Sequence, residues 1–212
     1  MYKTLRKIVA LLAVLCLLAG TVCALGEDKI VIYKGAMYSI DDFVGFATYE
    51  RPLYSARNVT IPARIPVDDK QTIVYRIADR AFYNDEKLTS ITIGRNVWHI
   101  GKCAFCGCKK LTTVKGGGAL QWIEPKAFKD CKALTSITLG KDARTIDAQA
   151  FYGCEALKLI TIKSTELDSW SVGKNAFKGV YRKAIFKCPK SRRKEYKALL
   201  LECGAPITAQ FK

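Results

Sequence analysis

The sequence contains very little histidine: His99 is the one histidine among 212 residues. A single imidazole excludes a multi-histidine metal site and leaves one candidate general base for the whole chain. The chain also lacks the Gly-x-Ser-x-Gly, glycine-rich phosphate-loop and His-Glu-x-x-His motifs, which serve hydrolases, nucleotide-binding proteins and zinc peptidases. Acidic residues are few, with 19 against 35 lysines and arginines. We therefore expect a basic protein that is not an enzyme and holds no metal or cofactor.

Long hydrophobic runs are confined to the amino terminus. Basic residues precede the apolar run 8–20, and Val22-Cys23-Ala24 offers short side chains for cleavage after Ala24. Spanning a bilayer takes about 20 apolar residues, so this run is short for that role. We interpret residues 1–24 as a signal peptide and expect a secreted, cell-surface or periplasmic protein without a transmembrane segment after cleavage. Cleavage lowers the net charge from +16 to +13 and leaves seven of nine cysteines.

An internal repeat organises the rest of the chain. The dipeptide Ala-Phe recurs at spacings of 23, 23, 23 and 26 residues, at Ala81-Phe82, Ala104-Phe105, Ala127-Phe128, Ala150-Phe151 and Ala176-Phe177. Each unit reads Ile-x-x-x-Ala-Phe-x-x-Cys-x-x-Leu-x-x-Ile-x-Ile. The alternating end predicts a half-buried strand, and the middle, with apolar residues three or four apart, predicts a short helical turn. Neither can bury its apolar face alone, so the units should stack as a solenoid with equal positions in columns.

The repeat unit resembles the BspA-like leucine-rich repeats of bacterial surface and secreted proteins. The resemblance implies an α/β leucine-rich-repeat solenoid of stacked 23-residue units, at 77–180. It also implies a role in adhesion or in contact with a host surface, and no catalysis. Asp85 and Val180 depart from the recurring cysteine, and Gly116-Gly117-Gly118 replaces strand residues. Because this glycine run lacks a core side chain, we expect a local weak point there.

Both ends of the stack need covers, because a terminal repeat otherwise exposes its core. Short alternating segments at 29–33, 37–40, 43–49 and 58–61 predict an N-terminal β cap over 25–76. A last strand at 185–189 and a helix ended by Gly204 and Pro206 predict a C-terminal cap over 181–212. Three extra residues in the fourth unit predict a bulged loop around Trp170.

The cysteines allow three interpretations. Cys108, Cys131 and Cys154 are 23 residues apart and should form a buried column of free thiols, although an oxidising compartment would also permit disulfides. Cys103, Cys106 and Cys108 offer three thiolates, which is one ligand short of a usual zinc site. A metal or redox protein therefore remains the least favoured alternative.

Basic residues crowd near the carboxyl terminus, where eight fall within 16 residues beside one glutamate. This basic patch comprises Arg182, Lys183, Lys187, Lys190, Arg192, Arg193, Lys194 and Lys197. It predicts binding of a polyanion, such as a glycosaminoglycan or an acidic protein, although such runs also serve as solvated helix faces. Nucleic acid is a poor candidate, because no aromatic platform is interleaved with the charges.

The outward strand positions form the other candidate surface. This sheet face comprises Ser90, Thr92, Thr113, Lys115, Ser136, Thr138 and Thr161. Repeat proteins bind macromolecules through such faces, although threonine is also simply a good exposed strand residue. The sequence thus predicts a non-catalytic protein that binds a protein or glycan through the sheet face, with polyanion binding by the basic patch as the alternative.

Overall fold

The structure, a computed structural model, describes residues 29–41 and 45–212. The predicted signal peptide therefore lies outside the described residues. The chain begins with three antiparallel strands, β1 (Lys29–Tyr33), β2 (Ala36–Asp41) and β3 (Phe46–Pro52). They occupy most of the region predicted as a β cap, and the first residues of the predicted strand at 43–49 are not described.

Short strands dominate the remainder of the chain. They are β4 (Asn58–Ile61), β5 (Arg64–Val67), β6 (Lys70–Ile77), β7 (Ser90–Ile93), β8 (His99–Ile100), β9 (Thr113–Gly116), β10 (Trp122–Ile123), β11 (Ser136–Leu139), β12 (Thr145–Ile146), β13 (Leu159–Ile162), β14 (Ile185–Lys187) and β15 (Gln210–Phe211). A 3-10 turn, Lys190–Arg192, leads into the helix α1 (Arg193–Glu202). Together they form a β-solenoid of about seven stacked turns.

The strands line two sides of the solenoid. On one side, the flank sheet runs β1-β2-β3-β6-β8-β10-β12, with β5 paired to β6. On the other side lie two face sheets, β4-β7-β9 and β11-β13-β14-β15. Pairing between solenoid turns is parallel and keeps the repeat in register, as in Ile91↔Val114 and Ile137↔Ile160. The predicted stacking of equal positions is therefore present in the structure.

The predicted α/β class is wrong, because the middle of each repeat is a series of turns and not a helix. Two positions per unit adopt a positive φ, for example Cys103 at 56° and Gly107 at 77°. Such left-handed residues end a right-handed helix within a turn. The turns still stack: Phe105 N–H donates to the carbonyl of Ala127 at 2.7 Å. The third side of the solenoid is thus a hydrogen-bonded column of turns, and α1 is the one α-helix of the described residues.

A column of parallel aromatic rings forms the centre of the core. The five repeat phenylalanines are buried, and successive rings lie 5.0–5.5 Å apart and within 11° of parallel. Tyr49 of β3 stacks on Phe82 at one end, and Phe186 of β14 meets Phe177 edge-on at the other. Offset stacking is favourable beyond the area buried, so this column joins both ends to the repeats.

The glycine run interrupts the face sheets. Pairing stops at β9, which ends at Gly116, and resumes at β11. Gly116 and Gly117 adopt φ of 79° and 72° and turn the chain out of the strand. Val114 is only partly buried, whereas its column neighbour Ile137 is 3% exposed. The glycines thus replace a rung of the ladder, at the place where the sequence predicted a weak point.

Candidate functional site

The structure places the sheet face on the outer side of the two face sheets. Strand register aligns Thr92 with Lys115, and Thr138 with Thr161. Lys115, Ser136 and Thr138 are exposed, and the other members are half-buried. The glycine run divides the face into a part on β7 and β9 and a part on β11 and β13.

The hydroxyls next to the sheet face fall into two groups. Those of Thr89 and Thr112 donate to backbone carbonyls one turn back, at 2.9 and 3.0 Å, and so serve the fold. By contrast, no protein hydrogen bond joins the hydroxyls of Thr92, Thr138 or Thr161 to any described residue. These three hydroxyls are free to bond with water or a ligand.

Sequence analysis missed an apolar extension of the sheet face. Leu159 and Ile185 are neighbours in register on β13 and β14, and both are half-buried. Leu159 lies 23 residues after Ser136, so the repeat spacing alone could have placed it on this surface. Lys187, a member of the basic patch, aligns with Thr161. The sheet face and the basic patch therefore meet at β14.

The basic patch surrounds the start of α1, and seven of its eight members are exposed. Arg192 differs. Its guanidinium donates to the carbonyls of Thr165 at 2.7 Å and Leu167 at 3.3 Å, and it lies over the ring of Tyr196. Arg192 thus fastens α1 to the bulged loop, which makes it a structural residue within the predicted patch.

The seven cysteines of the described residues are free thiols. Cys108, Cys131 and Cys154 form the predicted buried column. Each thiol donates to the carbonyl of a repeat phenylalanine, Cys108 to Phe82 at 2.9 Å and Cys131 to Phe105 at 3.1 Å. Burial raises the pKa of the Cys108 thiol to about 12. A neutral thiol buried in this way packs as a small apolar side chain.

The structure does not assemble the cysteine cluster that the sequence suggested as a metal site. Cys108 points into the core, whereas Cys106 is half-buried at the surface of the turns. Burial also raises the pKa of Cys106, which disfavours the thiolate that a metal requires. Across residues 29–41 and 45–212, no group of three or more potential ligands is arranged to hold a metal ion.

His99 lies on the flank sheet, and its Nε2 is 2.6 Å from Oε1 of Glu124. Desolvation lowers the pKa of this imidazole, although the hydrogen bond to Glu124 acts in the opposite direction. Arg76 approaches the same carboxylate oxygen at 3.3 Å. His99 is therefore part of a surface charge network, and it is not the partner of a cysteine nucleophile.

Sequence analysis also missed the aromatic residues of the flank sheet. Tyr75 and Trp98 are 23 residues apart, as are His99 and Trp122, so the repeat spacing could have aligned them. In the structure the rings of Tyr75 and Trp98 lie 5.4 Å apart, with Phe46 within 5.8 Å of both. Within the described part of the chain, no helix is long and apolar enough to cross a membrane.

Parallel rungs at a 23-residue period, a buried phenylalanine column and turns stacked on the third side define a leucine-rich-repeat solenoid. The BspA type leucine rich repeat region matches residues 75–200 in six copies, so the chain belongs to that family. The match continues into the region that the sequence assigned to a C-terminal cap. No curated protein matches the chain.

Solved structures share this fold. The T. pallidum leucine rich repeat protein is similar with a TM-score of 0.60 at 20% identity, over 84% of this chain and 97% of that one. The leucine rich cell surface protein from Faecalibacterium prausnitzii gives 0.53 at 19% identity, over 86% and 54%. The pneumococcal vaccine antigen PcpA gives 0.55 at 15% identity, over 88% and 48%. At these identities the similarity establishes the fold.

Proposed function

We propose that this chain is a secreted or cell-surface recognition protein that binds a protein or glycan through the sheet face and catalyses no reaction. The observation that carries the proposal is the aligned row of uncommitted hydroxyls at Thr92, Thr138 and Thr161 on parallel strands. Membership of the BspA type family supports it, as does the fold shared with a protein described as a cell surface protein.

The composition of the sheet face suits macromolecular recognition. Short hydroxyl side chains form a flat surface, and each can donate and accept a hydrogen bond. The apolar pair Leu159 and Ile185 adds a patch that gains from desolvation at one end of this surface. Extended repeat surfaces of this kind offer many small contacts to one partner.

A pair of arrays tests this role, one of purified extracellular matrix proteins and one of glycans, each probed with the labelled chain. Lys115→Glu and the double variant Thr138→Arg, Thr161→Arg alter the sheet face. Lys109→Glu is the matched control, because Lys109 is exposed in the same repeat but lies on the turn side. We expect saturable binding that both sheet-face variants weaken at least about fivefold and the control leaves unchanged.

Two results would contradict the proposal. Saturable binding that survives both sheet-face variants would move the recognition surface elsewhere on the molecule. An absence of saturable binding on both arrays would refute the recognition role itself. Circular dichroism and thermal unfolding of each variant show whether it is folded, so a loss of binding is attributable to the surface.

Polyanion binding by the basic patch is a second candidate, favoured by the position of the charges on α1. The partial positive charge of a helix N-terminus disfavours cations nearby. Even so, Arg193, Lys194 and Lys197 occupy the first half of α1, and its last turn holds no basic residue. Stability does not account for this arrangement, whereas attraction of an anionic polymer does.

Heparin chromatography tests this candidate with a triple variant, Arg193→Glu, Lys194→Glu and Lys197→Glu. Arg192 is left intact because its contacts hold the bulged loop. Lys109→Glu, Lys110→Glu and Lys141→Glu together make the same charge change at exposed positions elsewhere. If the patch binds, the first variant elutes at clearly lower salt than the second. Equal elution of the two would show a general charge effect and refute the patch.

A further inference from the structure

All three tryptophans of the chain lie along one side of the solenoid. Trp98 directly precedes β8 and Trp122 begins β10, one strand further along the flank sheet. Trp170 lies on the next turn beyond β12, since the adjacent Val172 bridges to Ile146. With Phe46 and Tyr75 they form a row that we call the aromatic flank. Its members, except Trp170, are half-buried.

Trp170 is 93% exposed, yet its backbone is held in a fixed turn. The carboxylate of Asp168 accepts the N–H of Trp170 at 3.0 Å and that of Ser171 at 2.9 Å. Burying a tryptophan is worth several times more than burying most side chains. A tryptophan left in water by an ordered turn, in a protein whose core is otherwise closed, is therefore a contact residue.

The loop that carries Trp170 is anchored from beneath. The hydroxyl of Tyr196 on α1 accepts the N–H of Leu167 at 3.1 Å and donates to the carbonyl of Ser164 at 3.0 Å. Ser164 donates in turn to the carbonyl of Ala143 at 2.6 Å. This loop contains the three residues inserted into the repeat. The insertion is thus built into the fold, and binding at Trp170 would cost little ordering entropy.

Charges on the aromatic flank are paired with one another. Arg76 lies 2.6 Å from Asp79 and 3.3 Å from Glu124, and Glu124 also contacts His99 at 2.6 Å. The flank therefore lacks the single-sign charge of the basic patch, although the chain as a whole is strongly basic. Its electrostatic complement is a neutral ligand.

Planar polar side chains lie beside the exposed ring. A shallow depression next to Trp170 is lined by Arg144, Thr145, Glu166, Asp168 and Ser171. Sugar rings present a C–H face that packs on an aromatic ring, and a rim of hydroxyls that bond to carboxylate, guanidinium and hydroxyl groups. Aromatic platforms with such groups at their edges match that pattern.

We propose that the aromatic flank is a binding site for a neutral polysaccharide, with Trp170 as its most exposed platform. The site is separate from the sheet face and lies on the opposite sheet. From Phe46 to Trp170 the row spans five strand spacings, or roughly 24 Å at about 4.8 Å each. That length accommodates several sugar units, so affinity should rise with the length of the oligosaccharide.

Intrinsic fluorescence tests the proposal, because every tryptophan of the chain lies on the aromatic flank. The chain is titrated with soluble β-glucan, mannan and xylan and with their oligosaccharides, with heparin as the anionic comparator. We expect a saturable change in tryptophan emission with one of the neutral polymers. Trp170→Ala and Arg144→Ala should weaken binding at least about fivefold, as measured by affinity electrophoresis.

Tyr83→Ala is the matched control, because Tyr83 is a 50% exposed aromatic residue on the turn side. It should leave binding unchanged, and so should the sheet-face variant Thr138→Arg, Thr161→Arg. If none of the neutral polymers changes the emission, the proposal is wrong. A response to heparin alone that Trp170→Ala does not affect would overturn it in favour of the basic patch. Self-association abolished by Trp170→Ala would instead make the flank an interface between copies of the chain.

Discussion

The thiol of Cys154 donates a hydrogen bond to the carbonyl oxygen of Phe128, 3.1 Å away and one turn back along the solenoid. The rings of Phe128 and Phe151 stack beside this bond within 4° of parallel. The cysteine column is therefore satisfied without disulfides, since each sulfur has an acceptor from the turn before it. A larger or charged side chain in the column would lose that acceptor and disturb the rings.

Cys131→Arg should severely destabilise the protein. Cys131 is fully buried between the turns of two neighbouring repeats. An arginine there places an unpaired charge in the core, and we expect the free energy of unfolding to fall by at least about 4 kcal/mol. Thermal and urea unfolding measure the change, with Lys132→Arg at the exposed neighbouring position as the control. An unchanged melting temperature would contradict the placement of Cys131.

The thiols of the folded protein should react slowly with a thiol reagent at pH 8. Burial raises the pKa of Cys188 to about 11 and that of Cys108 to about 12, so the reactive thiolate is scarce. Cys106, which is half-buried, should react first. After unfolding without reductant, titration should find most of the seven cysteines of residues 25–212 free. Recovery of only one thiol would refute the column of free thiols.

Gly116→Ala and Gly118→Ala should differ sharply in their effect on stability. Gly116 has a φ of 79°, and a Cβ there would lie 2.1 Å from the carbonyl oxygen of Ile93. We expect a loss of about 1–3 kcal/mol for Gly116→Ala. A Cβ on Gly118 meets no atom within 4 Å, so its change should stay within about 0.5 kcal/mol. Chemical denaturation measures both, and equal losses would show that the glycine turn is not as described.

The pKa of His99 should lie below its usual value, because desolvation disfavours the imidazolium. The histidine then contributes stability above about pH 6.5, and the contribution is lost as the pH falls through the lower pKa of the folded state. Because the chain has a single histidine, its C–H resonances in a proton NMR titration are unambiguous. A midpoint above 6.5 would show instead that the carboxylate of Glu124 dominates. His99→Gln should remove this part of the pH dependence of unfolding.

The repeat period made the core predictable from sequence. A fixed spacing places equal residues one above another, so the burial of Phe105, Phe128 and Phe151 in one column follows from the spacing alone. The α/β class did not follow, because apolar residues three or four apart suit stacked turns as well as a helix. Only the backbone distinguishes them, through left-handed residues such as Cys103 and Lys126.

The outer surfaces were harder to predict, because a solenoid has several sides and the repeat marks only the buried one. The threonines of β7 and β11 stood out since they alternate with isoleucines. The tryptophans did not, because Trp98 and Trp122 occupy adjacent and not equal positions of the repeat. The role of Arg192 was equally hidden, since its partners lie 25 and 27 residues away, across the bulged loop.

The two strand-lined sides of the solenoid differ in continuity. Hydrogen bonds run unbroken along the flank sheet from β1 to β12, while the face sheets are separated at the glycine run. A rod that is stiff along one edge and cut along the other bends about the uncut edge. Flexing at the glycines should therefore change the shape of the threonine surface, while the spacing of Trp98 and Trp122, on paired strands, is preserved.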